Sequence, residues 1–90
     1  MKKRLHVLFS GIVQGVGFRY TVERMARRQP VTGYVKNLPN GKVELVAEGE
    51  EKNLGEFLKE IRGAFPGHIH DVDSNWGEAT GEFERFGVKF

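Results

Sequence analysis

The sequence predicts an α+β two-layer sandwich, β-α-β-β-α-β with a short trailing strand, in which two helices cover one face of an antiparallel sheet. Three observations carry this. Apolar residues alternate with period two around Leu5, Val43 and Phe86. They recur at helical spacing in two segments, from Phe18 and from Leu54. Turn-forming residues stand at the joints between these segments. Two amphipathic helices need an apolar surface to cover, and a sheet supplies one.

Leu5, Val7 and Phe9 alternate with Arg4, His6 and Ser10, which gives a half-buried first strand. From Phe18 the period changes: Phe18, Val22, Met25 and Ala26 share one helical face, and the helix is expected to end near Gln29 because Pro30 follows. Val31 to Leu38 reads as the second strand and Lys42 to Glu48 as the third, joined by the tight turn LPNG. Leu54, Phe57, Leu58 and Ile61 place a second helix from Glu51 to Arg62, with Gly63, Pro66 and Gly67 at its exit. Val72, Ser74 and Trp76 suggest a fourth strand, and Phe86, Val88 and Phe90 a fifth. A split β-α-β arrangement puts strands one and three in the centre and gives the ferredoxin-like topology, which hosts many functions and decides none. Trp76, Phe57, Phe83, Phe86 and Phe90 are assigned to core or sheet packing.

Ninety residues, 39% hydrophobic and 29% charged, fit one globular domain spanning 1–90. The start MKKRLHVLFSG is basic and then apolar, but its apolar part alternates and is shorter than the ~7–15 residues of a signal core. No apolar run approaches the roughly 20 residues that span a bilayer. The absence of cysteine excludes disulfides and thiolate chemistry and favours the cytoplasm. Net charge is only +2, yet basic residues crowd the first third and acidic ones follow Glu44, which suits an anionic ligand near the first half.

The segment GIVQGVGFRY, Gly11 to Tyr20, places three glycines between the first strand and the first helix. Glycines at 15 and 17 let successive backbone N–H groups face one concavity, beside the unpaired N–H groups that open a helix. Arg19 in the first helical turn adds a guanidinium fork that matches phosphate oxygens. The glycine spacing matches neither G-x-G-x-x-G nor the P-loop, so a dinucleotide or nucleoside triphosphate site is not expected. A glycine-rich turn chosen for packing alone explains the loop about as well. In GYVKNLPNGKVE, Asn37 ends the second strand: it reads either as a turn asparagine or as a non-titrating carboxamide able to hold a water beside a bound phosphate.

Taken together, GIVQGVGFR and GYVKNLPNGKVE resemble the signatures of the acylphosphatase family, G-x-V-Q-G-V-G-F-R and G-[FYW]-V-x-N-x-x-x-G-x-V-E, at every motif position. The element order agrees with that family's fold along essentially the whole chain. The resemblance implies hydrolysis of the carboxyl-phosphate bond of acyl phosphates, without metal or cofactor. It further implies that Arg19 binds the phosphate, that Asn37 positions the attacking water, and that the amides of Gln14, Gly15, Val16, Gly17 and Phe18 form the cradle. RRQPVTGYV and GAFPGHIHDVD depart from the family's usual passages at Pro30 and at His68 to Asp73.

Other readings are weaker. A nucleic-acid-binding module of the same topology needs stacking aromatics on its central strands, and KVELVAE has none. HIHDVD gathers His68, His70, Asp71 and Asp73, but on a strand Asp71 points away from the two histidines, so a solvated entry to strand four is the better reading. Acylphosphatase-like domains also open larger carbamoyl-transfer proteins, whereas this chain ends after its fifth strand; a stand-alone enzyme acting as a monomer on a small acyl phosphate is expected.

Overall fold

The computed structural model describes residues 1–90. Its elements are β1 (Lys2–Gly11), α1 (Phe18–Ala26), β2 (Thr32–Asn37), β3 (Val43–Glu50), α2 (Glu51–Ala64), β4 (Ile69–Glu78) and β5 (Phe86–Lys89). They form one sheet in the order β4-β1-β3-β2-β5, with β1 and β3 among the inner strands as the sequence predicts. One expectation needs correction. The sheet is mixed, because β5 runs parallel to β2 while the other three pairings are antiparallel.

Alternation explains the core. Leu5, Val7 and Phe9 of β1 and Val43, Leu45 and Ala47 of β3 are buried under the helices, where α1 lies over β2 and β5 and α2 over β1 and β3. Phe18, Val22, Met25 and Ala26 are the buried face of α1, the same four residues that its periodicity selects. Leu54, Phe57 and Ile61 are the buried face of α2. The first helix stops earlier than expected, at Ala26 rather than near Gln29. Its exit tightens into bonds from Arg28 N to Met25 O (3.0 Å) and from Gln29 N to Ala26 O (3.1 Å), the narrower i to i−3 pattern common at helix ends. No helix is long and apolar enough to cross a membrane.

Gly33 shows how closely β2 and β3 meet. Its φ is +137°, and a Cβ there would press into the backbone carbonyl oxygen of Val46. Only glycine fits that spot, which accounts physically for the residue that opens the second motif. Five residues on, the hairpin closes with Leu38 N donating to Lys42 O (2.8 Å) and Gly41 N to Leu38 O (3.1 Å). Pro39 and Asn40 occupy the centre of that turn, as their torsional preferences favour.

One of the assigned aromatics is only half covered and another stands in solvent. Trp76 is 49% exposed and Phe90 is 92% exposed. Phe57 is buried and meets Phe86 edge-on at 5.7 Å, while Phe83 packs on Tyr34 at 5.9 Å, on the sheet face away from the helices.

Candidate active site

The sheet register brings the two motifs together. β1 and β2 both pair antiparallel with β3 and therefore run parallel to each other, so their C-terminal ends emerge on the same side. Phe9 of β1 and Asn37 of β2 both sit opposite Val43. The glycine loop after β1 thus starts beside the strand end that carries Asn37.

Two further contacts fix the loop. Gln14 Nε2 donates to Leu38 O (2.8 Å) and to Lys42 O (2.9 Å), tying the loop to the β2–β3 turn. Ile12 N donates to His68 O (2.8 Å), tying the loop's start to the approach to β4, and Val13 is fully buried beneath it. The side chain of Gln14 is therefore a strut, and only its backbone remains to serve a ligand.

Gly15 and Gly17 hold φ near +78° and +76°, the left-handed region that other residues avoid. Gly17 is the residue at which α1 begins, and no side chain caps the helix. The first helical bond runs from Thr21 N to Gly17 O (3.0 Å), so the N–H groups from Gln14 to Tyr20 donate to no protein acceptor. Such a row of free donors at a helix start favours negative charge.

Gly15, Gly17, Phe18, Arg19 and Asn37 line one cavity of about 510 Å³, together with Val13, Tyr20, Glu23, Val88 and Phe90. Gln14 and Val16 do not line it: the first is turned to the β2–β3 turn and the second is exposed on the loop. Asn37 Oδ1 is buried without a hydrogen-bond partner. An orphaned buried acceptor costs roughly 1–3 kcal/mol, and a donor placed in the cavity would relieve it. Phe90 is the residue that sequence reasoning assigned elsewhere. Its ring centroid lies 5.1 Å from Arg19 Cζ, within the range of a cation–π contact. Nothing in the alternation of β5 distinguishes a cavity-lining phenylalanine from a packed one.

The second motif also braces the site from the other sheet face. Tyr34 Oη donates to Glu44 Oε1 (3.0 Å), and His6 Nε2 lies 2.9 Å from Glu44 Oε2. Partial burial pushes the Glu44 carboxyl up, but the bonds from His6 and Tyr34 outweigh it and hold the group below the usual carboxylate range. Burial, followed by the bond to Glu44, pushes the Tyr34 phenol up. Of the HIHDVD cluster, His68 precedes β4 with its Nδ1 3.3 Å from Pro66 O, and His70, Asp71 and Asp73 are exposed along β4.

What this sheet end can do chemically is receive an anion: free amides and a guanidinium meet at one cavity, with an uncharged carboxamide at its side. Comparison with known proteins defines the class further. The acylphosphatase family pattern matches residues 5–88. An acylphosphatase of Lactobacillus gasseri is 41% identical over 90 residues, spanning 98% of this chain and 99% of its own. The crystal structure of acylphosphatase from Bacillus subtilis is similar with a TM-score of 0.90 at 31% identity, covering 98% of this chain and 99% of that one. Full-length HypF in its phosphate- and nucleotide-bound form contains a similar fold, at a TM-score of 0.90 and 30% identity, with 12% of its length matched. The chain belongs to the acylphosphatase family, and its activity is that of an acylphosphatase, a hydrolase of acyl phosphates.

Proposed function

We propose that residues 1–90 act as a single catalytic domain in which Arg19 and the free amides of the Gln14–Phe18 segment hold the phosphoryl group while Asn37 aims a water at phosphorus. The observation that supports this reading best is the shared cavity, where Arg19, the left-handed glycines and the unpartnered Asn37 Oδ1 all stand. An acyl phosphate is a mixed anhydride whose leaving group is a carboxylate of low basicity, so the leaving oxygen needs no proton. Water oxygen bonds to phosphorus as the bond from phosphorus to the acyl oxygen breaks. An acyl phosphate dianion and water give a carboxylate and dihydrogen phosphate, and both protons of the water end on the phosphate product. No separate acid or base is needed for the balance to close.

Phosphoryl transfer passes through a loose transition state with charge on the equatorial oxygens, so positioning and electrostatics carry the rate. Arg19 and the amides meet that charge. Asn37 is no base at neutral pH and works by alignment: its Oδ1 accepts a hydrogen bond from the water and sets the angle of attack. Asn37→Ala should therefore lower kcat by about 10²–10³ while KM moves little, measured with benzoyl phosphate. An equal rise in KM with kcat intact would assign Asn37 to binding instead.

The proposed mechanism uses no metal or cofactor, with inorganic phosphate as product and competitive inhibitor of the same cradle. Exhaustive dialysis against EDTA should leave kcat unchanged; activity lost on dialysis and restored by a divalent cation would overturn that. We place the enzyme in the cytoplasm as a monomer acting on small acyl phosphates, with neither nucleic acid nor membrane as partner. Carbamoyl phosphate, also a mixed anhydride, fits the same cradle and belongs in the substrate panel.

A further inference from the structure

We infer that the apolar wall of the cavity beside the cradle selects the acyl group of the substrate, favouring bulky apolar and aromatic acyl phosphates, and that Phe90 is the specificity-determining residue. This rests on the reading of the cradle given above. Two of the large exposed apolar side chains, Tyr20 and Phe90, stand together on the lining of this cavity. Exposed apolar groups that cluster at a cavity mouth mark a contact surface, whereas scattered ones mark nothing. Phe90 contributes no burial to the fold, since its ring is almost wholly in solvent apart from its face toward Arg19.

Size argues the same way. A cavity of about 510 Å³ is in the range that encloses a drug-sized ligand, far more than an acetyl phosphate would fill. The cradle takes the phosphoryl group at the Gly15, Gly17 and Arg19 side. That leaves Tyr20, Val88 and Phe90 as apolar wall for whatever the carboxyl carries. A phenyl group there would stack or meet edge-on with Phe90 and Tyr20, an arrangement aromatic pairs favour. An acetyl or carbamoyl group has too little apolar surface to use the wall.

Phe90 has a second possible role, steadying the Arg19 guanidinium through the cation–π contact, and the two roles separate by measurement. The experiment compares kcat/KM for benzoyl phosphate and acetyl phosphate in wild type, Phe90→Ala and Phe90→Leu, with the inhibition constant for inorganic phosphate alongside. Each variant is set against wild type on the same substrate, so the intrinsic reactivities cancel. Phe90→Ala should reduce the benzoyl-to-acetyl preference about tenfold, the scale at which an apolar pocket tells ligands apart. Phe90→Leu, which keeps an apolar wall, should recover part of it. An equal fall for both substrates, with phosphate inhibition weakened in step, would make Phe90 a positioning residue for Arg19 and overturn the inference. Hydrolysis of neither substrate by wild type would instead overturn the reading of the cradle. The exposure of Phe90 means that neither substitution threatens folding.

Discussion

Arg19→Ala is expected to lower kcat/KM for benzoyl phosphate by about 10³–10⁵, the span that a phosphate-directed arginine supplies in phosphoryl transfer. Three features make this the largest catalytic effect anticipated for any single residue. Arg19 is carried in the first turn of α1, so its side chain starts beside the free amides. It makes no ion pair with a carboxylate of the chain, whereas Arg4, Arg27 and Arg28 are each engaged with a glutamate. Glu23 shares the cavity but lies 3.6 Å from Arg27, which draws its charge away from the phosphate side. The loss should appear in kcat as well as in KM, because in a loose transition state the rate is carried by positioning the phosphoryl group and stabilising its equatorial oxygens, which the guanidinium fork does together with the amides. Inhibition by inorganic phosphate should weaken too. Arg19→Lys should restore little, since a point charge cannot reproduce the two-pronged donation of a planar fork. Because Arg19 contributes no ion pair to the fold, the thermal midpoint of the variant should match wild type. Near-normal turnover by Arg19→Ala would remove the residue from the mechanism.

Much of this site is legible in the residues themselves, and the reasons are local. Gly15 and Gly17 advertise a left-handed backbone, and the helical period beginning at Phe18 fixes where the free N–H groups must lie. Strand β1 is legible because its buried residues alternate without a break, and β3 because Val43, Leu45 and Ala47 alternate in the sequence, although Val46, Glu48 and Gly49 are buried as well. What local pattern cannot show is which distant groups meet. Gln14 belongs to the loop by sequence, yet its carboxamide reaches carbonyls at Leu38 and Lys42, and this is what makes loop and turn one unit. The direction of β5 is another case. The polar stretch before it gives no hint of which sheet edge the chain will reach, so its parallel pairing with β2 could not be read in advance. Phe90 follows from that miss: once β5 lies beside β2, the ring emerges at the cradle rather than over the core.

Glu48 was equally hidden, and the largest stability effect is expected there. Its position in β3 alternates with Leu45 and Ala47, so pattern alone sends it to the sheet face opposite the helices, where a glutamate would ordinarily meet water. Instead it is 4% exposed, because the segment between β4 and β5 folds across that face. The carboxylate accepts bonds from Thr80 N, Thr80 Oγ1 and Gly81 N, each at 2.9 Å, and from Arg4 Nη1 at 3.2 Å. Burial alone would push its carboxyl up, but the two backbone donors, the Thr80 hydroxyl and Arg4 prevail and hold it below the usual glutamate range. Glu48→Gln keeps the shape but turns a donor toward the backbone N–H groups and leaves Arg4 with less countercharge. It should cost roughly 3 kcal/mol at neutral pH, by the scale of charge-assisted hydrogen bonds and broken buried pairs. In a chain of this size that lowers the thermal midpoint by on the order of 10–20 °C. The sign of the pH dependence is fixed by the direction of the shift. A depressed folded-state value adds stability that is complete above the unfolded glutamate value and is lost as pH falls through the folded one. Urea unfolding of wild type and Glu48→Gln should therefore show a gap that is full at neutral pH and narrows below the ordinary glutamate range. A gap that stays constant into strong acid would mean the charge is not what Glu48 contributes. The segment it holds leads directly into β5, so the same carboxylate that anchors the far face of the sheet also fixes where Val88 and Phe90 arrive at the cavity.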